Sequence, residues 1–307
     1  MGKSLRSLGT SGLLGAAILV FSIEVLAPRL PPYVGPPDYR EARSLSVPAQ
    51  PSLSLVNADG AVRVVATEPG REAEIGIEVE FAVHGLNADA DRRMIARYVD
   101  SLLVVESREG QLAIVTEPAT RPQAIALRAE YTVTVPLGTD IDIRGANGNI
   151  WIAEGCGEVT VHSINADIEI LRPGGAVLAQ STNGRIRLHN AQERATLETV
   201  NGNIRADVRR GILQASSTNG SIRAHVEDAE VEGCVVNSAN GGIQVFLQEE
   251  ASFSVNANAT RGVVVSEFVL EGAGLAGDRN NLTGTAGTGS TKLNLTTGNG
   301  NIWLIRG

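Results

Sequence analysis

Asn183-Gly184-Arg185-Ile186-Arg187-Leu188 returns as Asn201-Gly202-Asn203-Ile204-Arg205-Ala206 and again as Asn219-Gly220-Ser221-Ile222-Arg223-Ala224, at a constant spacing of 18 residues. The same spacing holds toward the N-terminus, through Asn165-Ala166-Asp167-Ile168 and Asn147-Gly148-Asn149-Ile150. Toward the C-terminus the period loosens. Asn240-Gly241-Gly242-Ile243 follows after 21 residues, Arg261-Gly262-Val263-Val264 after another 21, and Asn299-Gly300-Asn301-Ile302 ends the series. A fixed short period marks an architecture in which each unit packs mainly on its neighbours.

Within a unit, the third and fifth residues after the Asn are apolar: Ile150 and Ile152, Ile168 and Ile170, Ile186 and Leu188, Ile204 and Ala206, Ile222 and Ala224, Ile243 and Val245. Alternation of this kind is a strand with one buried face. A second alternating series stops two residues before each Asn, as in Val159, Val161, Ser163 and Val177, Ala179, Ser181, continuing to Cys234, Val236, Ser238. Gly-rich or polar breaks such as Arg172-Pro173-Gly174-Gly175 separate the two strands. Each unit is therefore strand, turn, strand, turn. One unit cannot bury its apolar face, but coils stacked about 4.8 Å apart bury a continuous core and turn each position into a column of like residues. The fold class is all-β: a parallel β-solenoid with two strands per 18-residue coil. The composition agrees, with 34 Gly and only 4% aromatic residues. Asn147, Asn165, Asn183, Asn201, Asn219 and Asn240 are expected to form a structural turn ladder. Asn tolerates left-handed turns, Gly adopts them freely, and stacked amides can bond between coils.

The flanks carry less regular strands. Residues 45–140 are expected to form a β-rich cap over the first edge of the solenoid, with strands at Leu53–Val56, Ala61–Ala66, Ile75–Val83, Leu103–Glu106, Leu112–Val115 and Ala124–Val135. Asn57-Ala58-Asp59-Gly60-Ala61-Val62 looks like a degenerate copy of the repeat turn. A short helix is expected over residues 89–102, with Met94, Ile95, Tyr98 and Leu102 on one face. Residues 141–307 are assigned to the solenoid, with a long Gly-rich loop at 271–290.

Residues 1–27 place Lys3 and Arg6 before the apolar run Gly12–Ile23, the layout of a secretory signal. Cleavage after Ala27 and retention as a membrane anchor both remain open, because Pro28 follows the site directly and Leu8–Ala27 is long enough to span with Glu24 near the interface. Pro28, Pro31, Pro32, Pro36 and Pro37 make residues 28–44 a Pro-rich linker. The expected location is exported: periplasmic or on the outer face of the cytoplasmic membrane. A net charge of −8 argues against a nucleic-acid partner, which needs a basic footprint.

The units Thr199-Val200-Asn201-Gly202-Asn203-Ile204 and Ser217-Thr218-Asn219-Gly220-Ser221-Ile222, the entry strand Tyr131-Thr132-Val133-Thr134-Val135-Pro136 and the ending Leu295-Thr296-Thr297-Gly298-Asn299-Gly300-Asn301-Ile302 resemble the bacterial putative-adhesin family of β-strand-repeat proteins, which is marked by T-x-N-G-x-I units. The resemblance spans about residues 45–307. It implies an envelope-exposed domain, often behind a membrane anchor, with roles in adhesion or envelope-stress sensing, and it supplies no catalytic residues to carry over.

The candidate site comes from the outward positions. The fourth residue after each Asn reads Trp151, Glu169, Arg187, Arg205, Arg223, Gln244. Arg185, His189, Arg209, Arg210 and His225 lie on or beside that face, making a basic stripe on an acidic protein. The stripe is expected to bind an acidic glycan, a lipid phosphate or an acidic protein surface through forked guanidinium contacts. Its competitor is a solvated face balanced by Glu169, Asp207 and Glu198. Trp151 and Trp303 belong to the first and last repeats, so each is expected near an end of the stack. A polysaccharide-acting enzyme would need converging carboxylates in an aromatic groove, and none is legible. A membrane-anchored stress sensor or scaffold subunit is the other alternative to an adhesin-like module. No cofactor and no metal site are expected, since His84, His162, His189 and His225 lack ligand spacing. Cys156 and Cys234 lie several coils apart, too far for a disulfide.

Overall fold

The computed structural model describes residues 39–67, 74–84, 103–108, 110–116, 126–227, 231–272 and 279–307. The leader at 1–27 and the helix expected over 89–102 lie outside them. The N-terminal part contributes β1 (Tyr39–Pro48), β2 (Ser52–Asp59), β3 (Val62–Ala66), β4 (Glu74–His84), β5 (Leu103–Arg108), β6 (Gln111–Thr116) and β7 (Ala126–Val135). The repeats follow as strand pairs across each Asn-Gly corner. They are β8 (Asp140–Asn147) with β9 (Ile150–Ile152), β10 (Val159–Asn165) with β11 (Ile168–Leu171), β12 (Val177–Ser181) with β13 (Ile186–Ala191), β14 (Ala195–Thr199) with β15 (Ile204–Val208), β16 (Gly211–Ser217) with β17 (Ile222–Val226), and β18 (Val231–Asn240) with β19 (Ile243–Leu247). The chain ends in β20 (Phe253–Ala259), β21 (Val264–Ser266), β22 (Asn281–Ala286), β23 (Thr291–Asn299) and β24 (Ile302–Arg306).

Two 12-stranded sheets result. Sheet A runs β1-β4-β7-β3-β9-β11-β13-β15-β17-β19-β24-β21, and sheet B runs β5-β6-β2-β8-β10-β12-β14-β16-β18-β23-β20-β22. The coils pair in parallel and in register, so Val159 faces Val177, which faces Ala195, which faces Leu213. Both inward series of the repeat close on the space between the sheets. Ile150, Ile168, Ile186, Ile204, Ile222 and Ile243 from sheet A and Val159, Val177, Ala195, Leu213 and Cys234 from sheet B are all buried. The fold is the expected all-β solenoid of two large, mostly parallel sheets. Among the described residues no helix is long and apolar enough to cross a membrane.

The ends depart from chain order. The strand pair β2–β3 is itself a coil: β2 pairs in parallel with β8, and β3 with β9. Coil stacking therefore begins near Ser52 rather than at residue 141. The 18-residue period hides this, because β4 to β7 are inserted between this coil and the next. Those strands form the cap proper, with β1 and β4 antiparallel on sheet A and β5 antiparallel on sheet B. The Tyr131 hydroxyl meets the Thr116 hydroxyl at 2.5 Å, joining cap strands of the two sheets. β1 also begins inside the stretch taken as a Pro-rich linker, so the linker reading fails from Tyr39 onward.

At the other end β23 pairs with β18 on one side and β20 on the other, and β24 lies between β19 and β21. The last coil in sequence is thus the penultimate one in space. The stretch 271–290 is not one long loop, since β22 runs antiparallel to β20 and covers the sheet B edge. Its small and polar residues conceal a strand that has only one neighbour to satisfy and little to bury.

The corner glycines serve close approach more than left-handed geometry. A Cβ on Gly184, Gly202 or Gly220 would stand 1.8, 1.9 and 1.9 Å from the carbonyl oxygen of the corner before it, with no left-handed φ at these positions. Nor are the ladder asparagines left-handed: the described non-glycine residues with positive φ are Arg172 and Asn190. Gly60 and Gly148 do keep positive φ, at 123 and 115, so the expected turn geometry holds at the first corners and is corrected for the later ones and for the asparagines. The corner is tight because coils must stack at strand spacing, and only a hydrogen leaves room for the neighbouring carbonyl.

Candidate functional site

Two ladders run along the stack, and the contrast between them defines the site. The first is the Asn column. Asn165 Nδ2 donates to Asn147 Oδ1 at 2.7 Å, and Asn183, Asn201, Asn219 and Asn240 each donate to the Asn before them at 2.8–2.9 Å. Asn299 then donates to Asn240 at 2.6 Å, following spatial and not sequence order. Every amide points the same way, so the final Oδ1 is left over. Arg261, in the Asn position of its own repeat, donates Nη1 to Asn299 Oδ1 at 3.3 Å and closes the ladder. Beside it, the hydroxyls of Ser181, Thr199, Ser217, Ser238 and Thr297 donate to corner carbonyls of neighbouring coils at 2.8–3.1 Å.

The second ladder is on the outer face of sheet A. Register places Arg63 beside Trp151, then Glu169, Arg187, Arg205, Arg223, Gln244, Trp303 and Val265 in one column. Three guanidinium side chains therefore stand on successive strands. The Arg187 side chain makes no hydrogen bond or close ion pair with a described residue, although its charge acts on Asp167. Arg205 has Asp207 at 3.7 Å, an ion pair too long for a hydrogen bond. Arg223 donates Nε and Nη2 to the neutral Gln244 Oε1 at 3.0 and 2.8 Å and lies 5.5 Å from the Phe246 ring. These arginines, with Arg185, Gln244, Gly242 and Trp303, line a groove of about 410 Å³.

The other sequence-selected residues divide. Arg185 is tied to Asp167, with Nε and Nη2 at 3.1 and 2.6 Å from one carboxylate oxygen. Partial burial works against the Asp167 charge, but the bonds from Arg185 and the charges of Arg185 and Arg187 outweigh it and hold the pKa below the usual value. Arg209 is paired with Glu227 at 2.7 Å, and Arg210 also has a partner. His189 lies between Asp207 at 3.2 Å and Glu169 at 3.5 Å, next to a register shift where Asn190 is left-handed. His225 stacks flat on Phe246, with 4.4 Å between ring centres. Its pKa is lowered, first by burial and then by Arg205 and Arg223 against the opposing charges of Asp207 and Glu227. Of the balancing carboxylates expected, Glu169 and Asp207 are on this face. Glu198 is not: it belongs to β14 of sheet B and accepts a bond from Gln180 at 2.7 Å.

Sequence reasoning missed Arg63 and Trp303 in this column and Phe246 in the next. Arg63 stacks on Trp151 at 4.4 Å, so Trp151 lies within the stack and not at its end. Trp303 sits directly after Gln244, its ring 3.0 Å from where a Cβ on Gly242 would stand, so the glycine leaves the indole room against the sheet. Phe246 follows His225 one column over. Both cysteines are buried and unpaired, and burial pushes each thiol up to about 12. Among the described residues no group of three His, Cys, Asp or Glu side chains is placed to hold a metal ion.

Comparison with known proteins places this geometry in a family. The family described as Toastrack DUF4097 matches residues 104–304. No curated protein matches the chain. Among solved structures, a putative adhesin from Bacteroides fragilis is similar with a TM-score of 0.51 at 14% identity, covering 88% of this chain and 99% of that one. A putative adhesin from Parabacteroides distasonis shows 9% identity and a TM-score of 0.42 over 87% of this chain and 97% of that one. At such identity the first of these likenesses shows the fold alone.

Proposed function

The chain belongs to the Toastrack DUF4097 family, and from that premise we propose that it is a non-catalytic binding module of the cell envelope, whose sheet A holds an anionic partner against Arg187, Arg205 and Arg223. One observation carries the reading: these arginines repeat in register on adjacent strands without a carboxylate in hydrogen-bond reach of any of them. Three like charges about 4.8 Å apart repel by roughly 1 kcal/mol per neighbouring pair even in water. A face evolved only for solubility gains nothing from that alignment, whereas an anion bridging adjacent forks turns it into attraction. The charged leader around Lys3 and Arg6 and the apolar run behind it support an exported location.

The test is retention of the folded protein on immobilised polyanions at physiological ionic strength: polygalacturonate, polyphosphate and vesicles containing anionic lipid. The wild type is expected to be held by at least one support, and a variant carrying Arg187→Glu, Arg205→Glu and Arg223→Glu to pass through all of them with its β circular dichroism intact. Equal retention of both proteins on every support overturns the assignment of the site.

A further inference from the structure

Resting on that anion-binding reading, we propose that the partner is a linear acidic polysaccharide lying along the solenoid axis, its carboxylates on the arginine column and a sugar ring on Trp303. Four features of the face select this class over other anions.

The charge is one residue wide. Glu169 continues the arginine column toward the N-terminal end, and Asp167, paired with Arg185, and Asp207 lie beside it. A flat anionic membrane would meet these carboxylates together with the arginines, and a chain of −8 net charge offers it little else. A single file of negative charge meets the arginines alone.

The spacing is that of successive strands, about 4.8 Å. An extended acidic peptide places same-side carboxylates roughly 6.6 Å apart, since its side chains alternate at about 3.3 Å per residue. It would fall out of step within two arginines. A pyranose ring in an extended glycan advances by nearly one coil, and where alternate rings turn over, the carboxylates on one side fall nearly two coils apart, in step with Arg187 and Arg223.

Beyond the arginines the column carries an aromatic platform, with Val265 past it. Trp303 lies two strands beyond Arg223, with Gln244 between them. An indole set against the sheet, with room made by Gly242, offers a face to the apolar C–H side of a sugar ring. The Gln244 oxygen is occupied by Arg223, which leaves its amide N–H groups for a ring hydroxyl.

The groove joining these groups, about 410 Å³, is lined by Arg187, Arg205, Arg223, Gln244 and Trp303 along one line. From Arg187 to Trp303 there are four strand steps, or roughly 19 Å, so an oligomer of four to five sugars should fill it.

Titration calorimetry with defined galacturonate oligomers tests this. Binding is expected to tighten at least 10-fold from the dimer to the pentamer and to level off beyond it. The fully methyl-esterified pentamer should lose at least 10-fold. Trp303→Ala should weaken the pentamer about 10-fold while leaving retention on polyphosphate unchanged, a control that the variant is folded and its arginines intact. Arginine-dependent binding of polyphosphate or anionic vesicles with no binding of the galacturonates overturns the glycan and leaves the anion-binding face standing. No binding of any of these probes overturns both. Pentamer binding that survives the triple Arg→Glu change, or is indifferent to esterification, overturns the placement on this column.

Discussion

The Asn column and the Arg column have the same 18-residue origin and nearly opposite fates. An amide carries both donor and acceptor, so identical neighbours satisfy one another, and six consecutive Asn-to-Asn bonds of 2.6–2.9 Å follow. A guanidinium carries five donors and no acceptor. Stacked on its own kind, it can only repel or wait for something else to accept. A column of like residues therefore satisfies itself when the side chain carries both donor and acceptor, and is left open to another partner when it does not.

The largest expected effect lies at the corner that permits stacking. Gly202→Ala places a methyl 1.9 Å from the Gly184 carbonyl oxygen, which is backbone and cannot rotate away. The two coils must part, at an expected cost of about 3 kcal/mol or more. Gly138→Ala is the control. Its φ is +79 with nothing within 4 Å of the added carbon, so only backbone strain of about 1 kcal/mol is expected. Denaturant midpoints of equal size for the two variants would return the corner glycines to the turn-geometry explanation.

Next is the ladder itself. Asn201→Ala removes the bond to Asn183 and the bond from Asn219. Both partners are exposed and regain water, so the loss is expected at about 1–2 kcal/mol. Arg205→Ala, four residues further on, is expected to change stability by less than about 0.5 kcal/mol in either direction at physiological salt, as for an exposed side chain without a tight partner. If the two variants unfold at the same denaturant concentration, the distinction between self-satisfied and unsatisfied columns collapses.

The repeating half was legible because its signals are local: 18-residue spacing, period-two alternation and Asn-Gly corners all lie within a single unit. What escaped depends on which strand neighbours which. β1 pairs on one side only, and its Tyr39-Arg40-Glu41-Ala42-Arg43 start gives little alternation. β22 is a Thr- and Gly-containing edge strand that needs no buried stripe. Trp303 joined the arginine column only because β24 slots in ahead of β21. A clue to that order was present. Arg261 stands where the repeat has Asn, and a residue that cannot accept belongs at the acceptor end of an Asn ladder. Asn299 must then lie between Asn240 and Arg261, as it does.

Salt probes the arginine column more gently. Arg205→Gln removes the central charge and with it two repulsions of roughly 1 kcal/mol each in water, against one long ion pair to Asp207. At low ionic strength the variant is expected to be more stable than wild type by up to about 1 kcal/mol. The gain should vanish near 1 M salt, where the Debye length is only about 3 Å. A stability difference that is the same at both ionic strengths would mean that the arginines do not sense one another.

The smallest effect concerns the neighbouring column, where unlike residues alternate. His225 has its pKa lowered by burial against Phe246 and by Arg205 and Arg223. The unfolded chain therefore takes up a proton near pH 6.5 that the folded chain still refuses. The stability tied to neutral His225 is fully present above that pH and is lost as pH falls toward the lower folded value. His225→Phe keeps a ring on Phe246 and removes the titration. Melting temperatures at pH 7.5 and 5.5 should therefore fall less in the variant than in the wild type. Combining Arg205→Gln with Arg223→Gln, and leaving His225 in place, should also shrink the wild-type drop, because the cations that help keep the ring neutral are gone. If the double variant kept the full drop, burial alone would set the titration, and the arginine column would have no influence on its neighbour.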